Sequence, residues 1–217
     1  MELLEIMKQR HSVRQYTDRA IEPEKRAVLD TLAQEINQKA ELSIQIVYDE
    51  PKCFDSFMAH YGKFAGVRNY IALIGKKSPK LDETLGYYGE ELVLKAQELG
   101  LNTCWVALTH GKSKAVVGKG EKVVCLIALG YGATQGVEHK SKPMQELCNY
   151  SGSMPEWFLN GMTAAMLAPT ATNQQKFRLE LLPDGIVQAT CGSGFYTKLD
   201  LGIVKYHFET VSGKKTI

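Results

Sequence analysis

The sequence has no long hydrophobic run. Its longest strongly apolar stretch, VVCLIAL at residues 123–129, is far shorter than the roughly 20 residues that a membrane-spanning helix needs. The first residues also lack the uninterrupted apolar stretch of a secretory signal peptide. We therefore expect a cytoplasmic protein with no membrane partner.

An excess of charge of one sign is also absent. The 217 residues include 26 basic and 24 acidic side chains, spread along the sequence, which give a formal net charge of +2. Such a balance creates no overall field that would attract nucleic acid or an anionic membrane. We therefore expect no nucleic-acid partner, and any anion that the protein binds must be held by a local group of donors.

Paired cysteines and histidines at metal-ligand spacing are missing too. The five cysteines are widely spaced without a C-x-x-C pair, and the five histidines show neither H-x-x-x-H nor H-E-x-x-H spacing. No serine, histidine and carboxylate grouping stands out along the chain. These absences predict free thiols in a reducing compartment, no metal site and no catalytic side chain. A bound cofactor would then have to carry any reaction.

Apolar periodicity predicts helices and strands that are mixed throughout the chain, with the best hairpin late, rather than in strict alternation. The first predicted helix ends near Arg10, the second begins at Pro23, and the third covers 83–99 and ends at Gly100. The fourth begins at the capping box Ser153–Glu156 and stops before Pro169. The last covers 197–210. In the second helix, Val28, Leu32 and Ile36 are expected to face the core. The predicted strands are 42–48, 69–75 and 123–129, with a late hairpin whose strands, FRLELL and IVQAT, flank Pro183-Asp184-Gly185. This mixture predicts an α+β fold in a single domain over residues 1–217.

Two polar stretches are candidates for ligand binding. In RHSVRQY at 10–16, an extended chain would direct Arg10, Ser12 and Arg14 to one side, where two guanidinium groups and a hydroxyl suit a phosphate. The alternative is that these residues cap the first helix and are otherwise solvated. In TATNQQ at 170–175, carboxamides match a heterocycle whose edge alternates donors and acceptors, although a polar connection is the simpler interpretation.

A third, basic stretch follows the last central strand. Lys140 and Lys142, in HKSKP, could reach a phosphate, but an exposed basic turn is the commoner explanation of such a pair. They therefore support a phosphate site only in the company of other donors.

Together these stretches resemble the nitroreductase family of FMN-dependent oxidoreductases. Four motifs carry the resemblance, which covers most of the chain: RHSVRQY at 10–16, GLNTCWV at 100–106, LIALGYG at 126–132 and APTATNQQ at 168–175. The resemblance implies a nitroreductase-like α+β fold with a central, mostly antiparallel sheet surrounded by helices. It also implies FMN as the cofactor.

The resemblance assigns roles to particular residues. It implies that Arg10, Ser12, Lys140 and Lys142 contact the FMN phosphate, with His11 in the same motif, and that Arg14 lies beside flavin N1 and the C2 carbonyl. The remaining residues match positions near the flavin ring, its N5 atom or the ribityl chain, and are Ala107, Leu108, Pro169, Thr170, Asn173 and Gln175. Leu108 is bulkier than the family's usual glycine, and Lys176 replaces a common proline.

The implied reaction passes hydride from NADH or NADPH through flavin N5 to a small electron-poor acceptor, such as a nitroaromatic or a quinone. No protein side chain is then a catalytic residue, because flavin N5 carries the chemistry. The alternative is a flavin-binding or flavin-sequestering protein with little turnover, in which Leu108 or the C-terminal half blocks access of the nicotinamide.

The order of the motifs departs from the family. APTATNQQ appears late in the chain, whereas ordinary members have this loop after their second helix and extend it into a partner's flavin site. We therefore predict a partial internal duplication, with residues 1–150 as a first half that carries the phosphate motif and 151–217 as a second half that carries the loop. The chain would fold as an internal pseudo-dimer, so a monomer is favoured over a homodimer.

Overall fold

The computed structural model describes residues 2–150, 152 and 154–217, and Ser153 of the predicted capping box lies outside these ranges. The chain forms two compact units. The sheet unit comprises Gln9–Leu81 and Leu92–Val137, and the C-terminal unit comprises Met1–Lys8, Asp82–Glu91 and Glu138–Ile217. The internal repeat with halves 1–150 and 151–217, and the pseudo-dimer, stay predictions.

The sheet unit is built on four strands. They are β1 (Gln45–Val47), β2 (Asn69–Lys76), β3 (Asn102–Val106) and β4 (Glu121–Gly130). Their order is β1-β2-β4-β3 and every neighbouring pair is antiparallel, with Ile71 opposite Ile127 in the central pair. The central positions of β2 and β4 follow from their uninterrupted apolar runs at 70–75 and 123–129, which suit strands that are covered on both faces. The α+β fold with a central antiparallel sheet is therefore confirmed.

An aromatic cluster forms part of the core in the sheet unit. The ring of Phe54 lies 5.3 Å from that of Phe64 and 5.9 Å from that of Tyr70, measured between centroids. A short helix, α3 (Phe57–Tyr61), follows Phe54 and exposes the Phe57 side chain to solvent. The aromatic residues around Phe54 thus pack beneath a segment that exposes apolar groups.

The second helix faces the core with a different stripe from the predicted one. Helix α2 (Pro23–Ala40) begins at the proline, as predicted, but its buried residues are Leu29, Ala33 and Ile36. Val28 is exposed. The predicted stripe through Val28 was wrong because a spacing of four residues advances about 40° beyond a full turn at each step, so that it drifts across the helix surface.

The C-terminal unit contains most of the helices. Its elements are α1 (Leu3–Gln9), α5 (Met144–Leu147), α6 (Glu156–Ala165), α7 (Thr197–Ser212) and the hairpin of β5 (Phe177–Leu181) with β6 (Val187–Cys191). The hairpin is confirmed, with Gly185 of its turn at a positive φ of 83°. All of α1 except Gln9 belongs to this unit. Of α4 (Leu81–Glu98), Asp82–Glu91 belongs to this unit and the remaining residues belong to the sheet unit.

Two helical glycines bring α4 and α7 into backbone contact within the C-terminal unit. A Cβ atom on Gly202 would lie 1.9 Å from the carbonyl oxygen of Glu83, and one on Gly86 would lie 2.0 Å from that of Leu199. Real Cβ atoms cannot approach backbone so closely. The two glycines therefore fix how tightly these helices pack.

A buried carboxylate anchors the C-terminal tail of the chain. Glu209 accepts hydrogen bonds from Lys215 Nζ at 2.7 Å, Thr216 N at 3.0 Å, Thr216 Oγ1 at 2.7 Å and Tyr87 OH at 3.0 Å. Beside this anchor, Thr216 forms a parallel bridge with Val187 at the edge of the hairpin. The tail thereby becomes part of the packed unit.

Replacing Glu209 by glutamine is expected to lower the free energy of unfolding by about 1–3 kcal/mol at neutral pH, since one donor then faces an amide hydrogen. Burial acts to raise the pKa of Glu209, but the bonds from Lys215, Thr216 and Tyr87 outweigh it and lower the pKa below 4.5. The stabilisation is therefore present above the unfolded-state pKa and is lost as the pH falls. Urea unfolding at neutral and acidic pH measures the difference, which should shrink in acid. Glu98→Gln, in an exposed ion pair with Lys95, is the control, and a difference independent of pH would contradict the prediction.

Candidate functional site

The RHSVRQY segment of the sheet unit is extended, which is the condition for its interpretation as a phosphate site. Ser12 forms a parallel bridge with Thr103, and Val13 N donates to Thr103 O at 3.0 Å. On its other side, Ala65 N donates to Arg14 O at 3.0 Å and Tyr16 N donates to Ala65 O at 2.9 Å. The segment is thus held on both sides by neighbouring backbone, which fixes where its side chains are presented.

The three donors predicted in this segment differ in exposure. Arg10 is buried with 4% of its surface exposed, Ser12 is half-buried and Arg14 is exposed. Burial raises the pKa of the Cys104 thiol, while Arg14, a hydrogen bond with Ser12, and Arg10 act in the opposite direction. All three donors therefore lie close enough to this one buried thiol of the sheet unit to influence its ionisation.

The Arg14 guanidinium is held by a ring rather than by an anion. Its central carbon lies 5.9 Å from the centroid of the Phe64 ring, a distance typical of a cation–π contact. Within the described residues, the guanidinium makes no hydrogen bond or ion pair. Its charge and its five N–H donors are thus available to a bound group.

The loop after β4 packs on the same segment. Asn102 holds this loop at both ends, donating to Gln135 Oε1 at 3.0 Å and accepting from Gly132 N at 2.9 Å. His11 Nδ1 lies 3.3 Å from Gln135 O. A Cβ atom on Gly132 would lie 2.9 Å from Val13 and 2.4 Å from Thr134 O, so glycine is required there. His11 is therefore part of the packing between the segment and this loop.

Ala107 and Leu108 directly follow β3 in the sheet unit. Ala107 is half-buried, and Leu108 exposes 67% of its surface. The structure records no hydrogen bond between these residues and the RHSVRQY segment among the described residues. Leu108 is therefore an apolar side chain presented to solvent.

The loop between α6 and β5 in the C-terminal unit has an uncommon backbone. Thr172, Asn173 and Gln175 all have positive φ angles, of 50°, 56° and 46°. Residues other than glycine adopt this left-handed region rarely, and threonine does so least readily of the three. Such a conformation persists only where neighbouring groups hold it.

Gln175 is the centre of the hydrogen bonds that hold this loop. Its Oε1 accepts from Lys142 N at 2.8 Å, and its Nε2 donates to Lys140 O at 2.9 Å and to Asn173 Oδ1 at 3.0 Å. Its backbone N donates to Thr170 Oγ1 at 3.1 Å. Because both amide hydrogens and the amide oxygen bond to protein atoms, buried Gln175 ties the HKSKP segment to the 170–175 loop.

The polar residues around Gln175 face solvent. Asn173 Nδ2 also donates to Lys140 O at 2.9 Å, and Lys142 Nζ donates to Gln175 O at 3.3 Å. Lys140 and Asn173 are exposed, whereas Lys142, Pro169 and Thr170 are half-buried. Within the described residues, the Lys140 ammonium has no hydrogen bond or ion pair. The C-terminal unit thus brings together the predicted residues of two loops.

Asp200, in the first turn of α7, is a residue of this loop that sequence reasoning missed. It is 5% exposed, and it accepts from Ala171 N at 2.9 Å and from Gln174 Nε2 at 2.8 Å. Burial raises its pKa to about 6, although the bonds from Ala171 and Gln174 act against the rise. The sequence does contain a signal for a buried carboxylate here, because Asp200 stands between the apolar residues Leu199 and Leu201 of the predicted helix.

A cavity of about 380 Å³ in the sheet unit was also missed. Its lining includes the buried rings of Tyr16 and Phe54 together with the charged groups of Asp18, Asp55 and Arg68. The lining comes from two stretches, 16–18 and 51–68, which are more than 30 positions apart in the sequence, so no local pattern could indicate the cavity. His60, which also lines the cavity, lies 3.3 Å from Asp55.

The comparison with family models decides the affiliation of the chain. A model described as "Putative TM nitroreductase" matches residues 2–212. The chain belongs to this nitroreductase family. Among curated proteins, none matches it.

Solved structures of nitroreductases have a similar fold. One described as a "putative nitroreductase" from Thermotoga maritima is 21% identical, with a TM-score of 0.69 over 99% of this chain and 87% of that chain. Another from Desulfovibrio desulfuricans, in complex with FMN, is 17% identical, with a TM-score of 0.55 over 71% and 99% of the two chains. A "putative NADH dehydrogenase/NAD(P)H nitroreductase" from Bacteroides thetaiotaomicron is 20% identical, with a TM-score of 0.53 over 70% and 98%. At these identities the likeness shows the fold, and the predicted nitroreductase-like fold is confirmed.

Two further observations on this nitroreductase family member concern metal ligands and membrane-spanning helices. Among the described residues, no group of three or more His, Cys, Asp or Glu side chains is placed to hold a metal ion. None of the helices in the described part of the chain has both the length and the apolar character needed to span a bilayer.

Proposed function

We propose that this protein is an FMN-dependent oxidoreductase that passes hydride from NADH or NADPH to a small electron-poor acceptor, such as a nitroaromatic or a quinone. Membership of the nitroreductase family supports a flavin oxidoreductase in general. The observation that carries the proposal is the loop cluster of the C-terminal unit. There Lys140, Lys142 and Asn173, from segments about 30 residues apart, meet around Gln175.

The donor set fits the phosphate of FMN. A phosphate monoester carries about −1.5 to −2 charges at neutral pH and offers three strong acceptor oxygens. Lys140 and Lys142 supply positive charge in one unit, and Arg10 and Ser12 supply a guanidinium and a hydroxyl in the other. We propose each of these four residues as a phosphate contact, because each matches a position of the family's motifs.

The remaining donors suit the flavin ring and the ribityl chain. Thr170 and Asn173 present a hydroxyl and a carboxamide beside Pro169, and Arg14 presents a guanidinium with no ion-pair partner in the described residues. Gln175 fits a different role, since its amide is already bonded to protein atoms. We propose that Gln175 holds the loop and that its neighbours make the contacts.

FMN, when bound, supplies the hydride chemistry, so the protein needs no general acid or base of its own. What the chain contributes is binding, orientation and a fixed positive charge. Arg14 provides that charge from an extended segment that backbone hydrogen bonds hold on both sides. A preoriented charge of this kind costs no reorganisation when negative charge develops on a bound group.

The exposed side chain of Leu108 favours a second candidate, a flavin-binding protein with little turnover. Members of the family usually have a glycine at this position, and a leucine that is 67% exposed could cover the face that a nicotinamide must approach. The two candidates agree on FMN binding and differ only in reduction by NAD(P)H.

One experiment tests both FMN binding and reduction of the bound flavin by NADH or NADPH. Protein incubated with FMN and desalted is expected to keep about one flavin per chain, seen as paired near-ultraviolet and blue absorption bands, and to bleach when NADH or NADPH is added without oxygen. Riboflavin, which lacks the phosphate, is the chemical control and should be lost on desalting. A folded protein that keeps no FMN would refute the proposal, whereas retained FMN that neither nicotinamide reduces would establish the flavin-binding candidate instead.

A further inference from the structure

The loop that carries Asn173 is anchored to α7 through one carboxylate. Asp200 Oδ1 accepts from Ala171 N at 2.9 Å, and Oδ2 accepts from Gln174 Nε2 at 2.8 Å. These two contacts flank Thr172 and Asn173, two of the three loop residues in the left-handed conformation. Asp200 thus clamps the strained part of the loop from both ends.

The side-chain amide of Gln174 makes a second hydrogen bond. Its Nε2 also donates to Phe195 O at 2.8 Å, so that both of its hydrogens are used, one on a carbonyl and one on Asp200. Reversing the amide would place its oxygen against the Phe195 carbonyl oxygen. Gln174 therefore requires an acceptor at Oδ2, while Ala171 N requires one at Oδ1.

An ionised carboxylate meets both requirements best. A carboxylate accepts strongly at each of its oxygens, whereas an asparagine amide accepts at one position and donates at the other, and the hydroxyl oxygen of a carboxylic acid is a weaker acceptor that also carries a hydrogen. Replacing Asp200 by asparagine would therefore direct a donor at a donor, and protonating Asp200 would weaken one of the two hydrogen bonds. The clamp therefore depends on the ionisation of a single side chain.

The surroundings leave this ionisation sensitive to pH. Asp200 is 5% exposed and, within the described residues, no cation forms an ion pair with it. Of the charged groups on the packed elements, Lys176 donates to Ser193 O and Lys205 pairs with Glu83, while Lys198 lies exposed on α7. None of them contacts the carboxylate. Burial thus dominates, and it raises the pKa of Asp200 to about 6.

We propose that ionised Asp200 is a positioning residue that holds the 171–175 loop in its FMN-binding conformation, so that FMN affinity falls when Asp200 is protonated. The inference rests on the proposed function, because it takes FMN to be the ligand of this loop. Asp200 itself touches no ligand in this scheme and acts through Ala171 and Gln174.

The test compares FMN dissociation constants of the wild type and of Asp200→Asn, which mimics the protonated side chain at every pH. Loss of one charge-assisted hydrogen bond is expected to weaken FMN binding about tenfold at about pH 7.5. Near pH 5 the wild type is mostly protonated, so the ratio should shrink to about twofold. Because the FMN phosphate titrates in the same range, the ratio of the two proteins is the readout rather than either affinity alone.

Two additions separate positioning from folding and from the proposed function. Asp184→Asn, in the exposed hairpin turn, is the matched control and should keep the wild-type affinity at both pH values. In the protein without FMN, backbone amide exchange over residues 170–176 should be faster in Asp200→Asn than in Asp184→Asn, with thermal stability unchanged or raised because a buried charge is removed. Equal exchange and a ratio near one at every pH would overturn the inference. A wild type that binds no FMN, with the exchange difference still present, would refute the proposed ligand but not the clamp.

Discussion

Replacing His207 by alanine is expected to lower the free energy of unfolding by about 3–5 kcal/mol, because it removes one partner of a fully buried histidine–carboxyl pair. His207 Nε2 lies 3.0 Å from Glu90 Oε1, and both side chains are 0% exposed. His207 Nδ1 lies 2.9 Å from Ala164 O, a group that can only accept, so that this nitrogen carries a hydrogen. The imidazole can then face the carboxylate only if a proton lies between the two groups. Chemical denaturation with a probe for the C-terminal unit measures the loss.

Two control variants distinguish a buried pair from any histidine–carboxylate contact. His60 Nε2 lies 3.3 Å from Asp55, but these side chains are 60% and 76% exposed, so His60→Ala should change stability by less than about 0.5 kcal/mol. Replacing His207 and Glu90 together by leucine should recover much of the loss, because both polar partners are then replaced by apolar side chains. If His207→Ala lowered the free energy of unfolding no more than His60→Ala does, the His207–Glu90 pair would not be what holds the helices α4, α6 and α7 together.

The elements that the sequence could predict are those long enough to show a clear apolar run or an apolar period. Strands β2 and β4 are buried on both faces, so an uninterrupted apolar run marks each of them. Helix α7 buries Leu201, Val204 and Phe208 at the predicted spacing. By contrast, α3 and α5 span five and four residues, too few for a helical period to show.

The same limit applies to the candidate site. Local chemistry marked Lys140 and Asn173 as candidates, but their contact depends on tertiary packing and on Gln175, which bonds to both. Asp200 was missed because an aspartate in the first turn of a helix is ordinarily explained by the helix dipole. Only the structure shows that its two oxygens bond to a loop about 30 residues earlier.

Replacing Arg14 by alanine is expected to weaken FMN binding about 10- to 100-fold, the loss of one or two hydrogen bonds to a charged group. It is also expected to make the reduction potential of the bound flavin more negative, because a positive charge nearby favours the form that carries more negative charge. The fold should be intact, since Arg14 is exposed and, within the described residues, its guanidinium makes no hydrogen bond or ion pair. Titration with FMN and spectroelectrochemistry of the loaded variant measure the two effects.

Two further arginine variants show whether charge or shape is responsible. Arg14→Lys keeps the charge without the planar fork, so it should restore most of the potential and less of the affinity. Arg68→Ala, which removes another exposed arginine of the sheet unit, should change neither quantity, since Arg68 belongs to none of the motifs that match the family. If Arg14→Ala weakened binding while the potential stayed unchanged, Arg14 would contact the phosphate rather than the flavin ring. If it changed neither, the extended RHSVRQY segment would have no part in FMN binding through this residue.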